Sequence, residues 1–130
     1  MSYSNPKRVN YSYPAQNFTT PITRQIKPPK GCTHGNVVDI HMSVTTTFTQ
    51  TTTPGFVKIG DGTTDDKYAS LNMGAAAAGA AYNVGDGGTI AKGGIDLDRD
   101  NISAITLKTV APTGGTPAGV GDLNVTIEWS

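Results

Sequence analysis

Apolar and polar side chains alternate along much of the chain. Near its end Leu123, Val125, Ile127 and Trp129 take every second position, with Asn124, Thr126 and Glu128 between them. Two is the strand period, so this stretch predicts a strand with one face in a core. At the helical period the same four side chains would scatter around the axis. Val38, Ile40, Met42, Val44, Thr46 and Phe48 form a second such row, opposite Asp39, His41, Ser43, Thr45 and Thr47. The threonine run to Thr53 keeps a high strand propensity until Pro54-Gly55 stops it. Shorter strands are expected over 56–59, 68–73, 89–92 and 102–110, and 95–100 alternates apolar with acidic. The strand over 102–110 is expected to pair antiparallel with 123–129, since consecutive strands usually neighbour each other.

Turn residues punctuate these runs. Residues 31–36 read as a turn, Gly60-Asp61-Gly62 closes a short strand, and a Gly- and Pro-rich loop covers 111–122. The alanines of 74–81 favour helix, but two glycines there cost about 1 kcal/mol each relative to Ala. An irregular loop, or at most one or two helical turns, is predicted. Together these signals predict an all-β domain over 36–130, an antiparallel β-sandwich or jelly roll.

Residues 1–35 read differently. Pro6, Pro14, Pro21, Pro28 and Pro29 recur through this segment, and residues 1–30 are read as showing neither period. Tyr3, Tyr11, Tyr13, Phe18, Ile22 and Ile26 set it apart from ordinary disordered filler. The expectation is an extended, Pro-stiffened N-terminal arm. Fully stretched, thirty residues span roughly 100 Å, against a radius of gyration near ~13 Å for a hundred-residue body. Such an arm can wrap its own body or reach a neighbour.

Composition sharpens this picture. Of 130 residues 36% are hydrophobic and 15% charged, well below the usual quarter or so, which predicts an uncharged polar surface. No apolar run is long enough for a membrane span, and the first residues lack the apolar core of a signal peptide. A soluble, intracellularly made protein is expected. Cys32 is the single cysteine, which excludes a disulfide framework and a multi-cysteine metal site within the chain. Charge is unevenly placed: residues 1–30 hold Lys7, Arg8, Arg24, Lys27 and Lys30 and no acid, while the remainder holds five bases against ten acids, so +5 faces −5.

Little of the sequence points to catalysis. Asp96-Leu97-Asp98-Arg99-Asp100 begins like a calcium loop, but Asn101 and Leu107 stand where an EF-hand needs Gly and Glu. Strand alternation accounts for the three acids. Gly60-Asp61-Gly62-Thr63-Thr64-Asp65-Asp66 lacks the lysine and helix of a phosphate loop and predicts a hairpin loop. Cys32 and His34 are spaced like two metal ligands, without a recognisable third, and no base or orienting group marks a Cys-His nucleophile pair. No cofactor is expected, and the protein is expected not to be an enzyme. The basic arm is the strongest functional signal: Tyr3, Lys7, Arg8, Tyr11, Tyr13, Phe18, Arg24, Lys27 and Lys30 are expected to engage a partner. Five bases over thirty residues make a thin footprint for nucleic acid, which is not expected as a partner; an acidic protein surface would suit them equally well, and so would the segment's own acidic body.

The stretch Val57-Lys58-Ile59-Gly60-Asp61-Gly62-Thr63-Thr64-Asp65-Asp66-Lys67-Tyr68 is followed by an Ala/Gly stretch and by Ile102-Ser103-Ala104-Ile105. Ala111-Pro112-Thr113-Gly114-Gly115-Thr116-Pro117-Ala118-Gly119 then leads to the terminal alternating strand. Over residues 37–129 this pattern resembles small structural proteins of tailed bacteriophages. The resemblance implies a β-sandwich that coats or cements the capsid or sits elsewhere in the virion, assembled in the bacterial host cytoplasm. It implies the major capsid protein or other virion subunits as partners, and self-association into a homo-oligomer. Other readings are a neck, tail or fibre-associated component, a carbohydrate-binding module using exposed Tyr or Trp129, and a hydrolase using the Asp loops. On the decoration reading, removal of residues 1–30 is expected to leave the body folded and abolish capsid binding.

Overall fold

The alternation at the end of the chain is realised in full: Leu123, Val125, Ile127 and Trp129 are each 0% exposed. The structure, a computed structural model, describes residues 7–90, 94–97 and 105–130. The protein is mostly β, and its strands form two antiparallel five-stranded sheets. In sheet A, β10 (Ala118–Trp129) lies between β1 (Lys7–Asn17) and β3 (His34–Thr49), and β3 also pairs with β6 (Ala81–Asn83) and β8 (Ile95–Asp96). In sheet B the order is β2 (Thr23–Ile26), β9 (Ile105–Val110), β4 (Phe56–Gly60), β5 (Ala69–Asn72) and β7 (Gly88–Ile90). One hydrophobic cluster takes side chains from both sheets. Among the described residues no helix is long and apolar enough to cross a membrane.

β3 departs from the simple alternation at one point. Thr126 pairs with Asp39 and Ile127 with Val37, so Val38 is the extra residue of a β-bulge. The bulge puts Val37 in the core and leaves Val38 37% exposed. Beyond it Ile40, Met42, Val44 and Phe48 point inward, whereas Thr46 is exposed. Gly35 lies under the indole of Trp129, where a Cβ would come within 2.5 Å of the ring.

The strands over 105–110 and 118–129 do not pair with each other. β9 joins β2 and β4 in sheet B, whereas β10 lies at the centre of sheet A. The intervening loop crosses between sheets and is held on the way by the threonine run: Thr53 and Thr113 exchange backbone hydrogen bonds of 3.3 and 2.9 Å. Residues 74–80 form turns, and one capped helical turn, α1 (Val84–Gly87), follows β6. Residues 102–104 of the expected strand over 102–110, and residues 91–92 of that over 89–92, lie outside the described residues.

The segment expected to be an arm is, over its described residues, built into both sheets. β1 pairs with β10 from Lys7↔Trp129 to Asn17↔Val120, and β2 pairs with β9. Phe18 and Ile26 are 0% and 1% exposed. Ile22 is tied to β9 by two hydrogen bonds to Thr109, one to its Oγ1 (2.9 Å) and one from its N–H (3.1 Å). The physical reason lies in Val9-Asn10-Tyr11-Ser12-Tyr13, which alternates like any half-buried strand. Pro14 is tolerated because β1 is an edge strand and the bulge between Tyr13 and Gln16 takes it out of the ladder. Removing residues 1–30 therefore deletes two strands and two core side chains. A chain starting at residue 31 should lack the cooperative unfolding transition of the whole protein. Denaturant titration followed by the fluorescence of Trp129 checks this, and a transition at unchanged midpoint would contradict the packing.

Candidate partner-docking surface

Tyr3 lies outside the described residues. The remaining basic and aromatic positions of the N-terminal segment separate into surface and structural groups. Phe18 meets Phe48 edge-on, with ring centroids 4.9 Å apart, so it belongs to the core and not to a docking surface. Tyr11 is half-buried: its hydroxyl accepts the indole N–H of Trp129 (3.0 Å) and donates to the carbonyl of Lys27 (3.2 Å). This relay joins the centre of sheet A to the chain leaving β2 in sheet B. Burial raises the pKa of Tyr11, opposed by the bond from Trp129. Tyr13 is also raised by burial and by Tyr11, and opposed by the charge of Arg24.

Lys7, Arg8, Arg24, Lys27 and Lys30 are all exposed. Arg8 pairs with Glu128 at 2.9 Å, whereas Lys7, Arg24, Lys27 and Lys30 have no carboxylate partner among the described residues. Lys7 and Arg8 lie on β1 and Arg24 on β2, each the end strand of its sheet, and Lys27 and Lys30 follow β2 in the chain. Arg24 acts on Tyr13, and Lys27 receives Tyr11. The chain then runs to Thr33, whose N–H bonds Ser130 next to Trp129, the strand partner of Lys7. Four of the bases, Lys7, Arg24, Lys27 and Lys30, thus form a basic rim along and just after the end strands β1 and β2, on the side joined by the Tyr11–Lys27 bond, while Arg8 turns to Glu128.

The outer face of sheet A carries short polar side chains in rows. Ser12, Asn124, His41 and Asn83 are successive partners across four strands; Asn10, Thr126 and Asp39 form the next row, and Arg8, Glu128 and Asn36 the third. Asn10 Nδ2 donates to Asn124 Oδ1 at 3.2 Å. Asp122 accepts the N–H of Ala15 at 2.8 Å and so satisfies the β1 bulge, where Ala15 takes φ 52°. Sheet B has a different outer face. Lys58 and Lys108 stand directly opposite each other, with Lys108 paired to Asp65 (3.2 Å) and Lys58 lying 5.3 Å from the Phe56 ring centroid.

The other sequence motifs take structural positions. Gly60 to Asp66 is the hairpin loop between β4 and β5, as expected. Asp61 accepts the N–H groups of Thr63 (2.9 Å) and Thr64 (2.8 Å) and pairs with Lys67 (3.3 Å). The backbone bonds from Thr64 and Thr63, then Lys67, hold its carboxyl below the ordinary value of 3.8. Asp61 and Asp65 are bound to separate lysines, so this loop does not assemble a pair of free carboxylates. Cys32 is a buried free thiol, and His34 turns to Thr33 Oγ1 (2.8 Å) and Asp96 (3.5 Å). No group of three or more His, Cys, Asp or Glu able to hold a metal occurs among the described residues; Asp98, Arg99 and Asp100 lie outside them. Trp129 is fully buried and bonded to Tyr11, so it offers no aromatic platform for a sugar.

No family model, curated protein or solved structure matches the chain.

Two outcomes follow from these bonds. Tyr11→Phe leaves the buried indole N–H of Trp129 without an acceptor and should cost about 1–3 kcal/mol, read as a lower denaturation midpoint. For Asp61, a carboxyl held below its unfolded value stabilises the fold above that value, and the stabilisation disappears as pH falls through the lowered folded value. Acid unfolding of Asp61→Asn should consequently lose part of the wild-type slope below pH 3.8, measured by parallel pH titrations of the two proteins.

Proposed function

We propose that the chain is a non-enzymatic structural protein of a tailed-phage virion, a capsid decoration or cement protein built as a β-sandwich. The outer face of sheet A carries the reading. Its rows are mostly Asn, Ser, Thr and His side chains, with Asp39 and the Arg8–Glu128 pair among them, all fixed by strand register. Short side chains lose little rotamer freedom on docking, and amides and hydroxyls both donate and accept hydrogen bonds. Such a platform suits a contact that adds buried area at subunit junctions without chemistry. The resemblance of residues 37–129 to small phage structural proteins points the same way. In this reading the N-terminal segment acts as a basic rim of the docking surface in place of a free arm, and the decorating unit is a symmetric homo-oligomer. A neck, tail or fibre position is the second reading, supported by the same face.

Purified chain mixed with shells and tails isolated from the virions that carry its gene tests the proposal. It should pellet with shells. Asn124→Arg, at the middle of the face, should lower that binding on the order of tenfold or more with unchanged stability. Pelleting with tails alone, or with neither particle, would remove the decoration reading.

A further inference from the structure

We infer that the open edge of β1 and the basic rim beside it take an extended acidic segment of a partner polypeptide, laid down as an additional strand of sheet A. The inference rests on the reading that the chain docks on a protein, though not on that protein being a capsid.

Two independent observations converge on this edge. The first is hydrogen bonding. β1 ends the strand order of sheet A, so alternate backbone N–H and C=O groups along Lys7 to Tyr13 point away from β10, and no described strand pairs with them. Natural edges are commonly guarded by charge, proline or a bulge. Here the guards lie at the ends: Lys7 and Arg8 at one, Pro14 and the bulge at the other. Val9-Asn10-Tyr11-Ser12-Tyr13 between them carries no charge and sets strand-forming Val and Tyr at alternate positions. Val9, Tyr11 and Tyr13 are only partly buried against the core, so an added strand can cover their exposed flanks with its own inward side chains.

The second observation is charge. Lys7, Arg24, Lys27 and Lys30 stand on the rim without a carboxylate partner among the described residues. Residues 7–30 supply no acid of their own. An occupant with Asp or Glu at alternate positions answers the cations while its backbone completes the ladder, which is strand addition with electrostatic selection. A second copy of the same edge would set these cations against one another. A polynucleotide would meet the cations but leave the strand groups unpaired.

The test uses the isotope-labelled full chain with three probes: a capped ten-residue peptide alternating Glu and Val, its Lys–Val counterpart, and a ten-residue oligothymidylate. The acidic peptide should shift and protect the amides of residues 8–13, and added salt should weaken it. The exposed double variant Lys7→Glu/Lys27→Glu should bind it at least tenfold more weakly, and denaturant unfolding of that variant shows whether the fold is kept. If the variant unfolds early, Arg24→Gln with Lys30→Gln gives the same reading from two other rim positions. Absence of shifts, shifts elsewhere, or equal binding of the basic peptide or the oligonucleotide would overturn the inference. Peptide binding by a chain that ignores shells removes the decoration reading alone; shell binding by a chain that ignores the peptide removes this inference alone.

Discussion

The indole N–H of Trp129 is a donor at the end of a fully buried row, and it must be satisfied inside the protein. An unpaired donor there would cost about 1–3 kcal/mol. Its acceptor is Tyr11, and Tyr11 in turn donates to the carbonyl of Lys27. Through this one constraint the N-terminal segment is fastened to the body: β1 beside β10, and the chain after β2 across from Tyr11. Gly35 completes the arrangement from the other side by leaving room for the ring. Sheet A and its polar outer face depend on β10 being held between β1 and β3.

This arrangement changes the meaning of the charge asymmetry. A basic arm and an acidic body suggest a tail that neutralises the surface on which it lies. Among the described residues, Arg8 is the one base of the N-terminal segment that pairs with a carboxylate, Glu128. The remaining cations stay on the rim, while several acids are used locally: Asp61 and Asp65 on lysines, Asp122 on a backbone N–H. A net charge of zero therefore coexists with a positive lateral strip, a distribution suited to orienting an approaching partner.

How much of this was legible depended on the range of the interaction. The rows at Leu123–Trp129 and along β3 follow from period two, a local property, and both formed the expected strands. The bulge at Val38 was hidden, because it depends on how β10 is registered against β3. Which sheet each strand joins was hidden too: the loop of 111–117 looks like a hairpin connection but crosses from one sheet to the other. In the N-terminal segment Pro14 and its companions masked the alternation from Val9 to Tyr13. Prolines argue against a central strand, not against an edge. The site residues divide in the same way. The exposed bases were readable as surface, whereas Phe18 gave no local sign that Phe48, thirty positions away, would enclose it.

Placing β1 against β10 also sets a timetable. Arg8 and Glu128 are 120 residues apart in the chain, so β1 leaves the ribosome long before its partner strand exists. Synthesis at roughly 5–20 residues per second leaves the Val9–Tyr13 strand unpaired for several seconds, longer than many small domains need to fold. Sheet A is therefore completed only when β10 emerges, and the pairing of β1 is among the last contacts that synthesis permits.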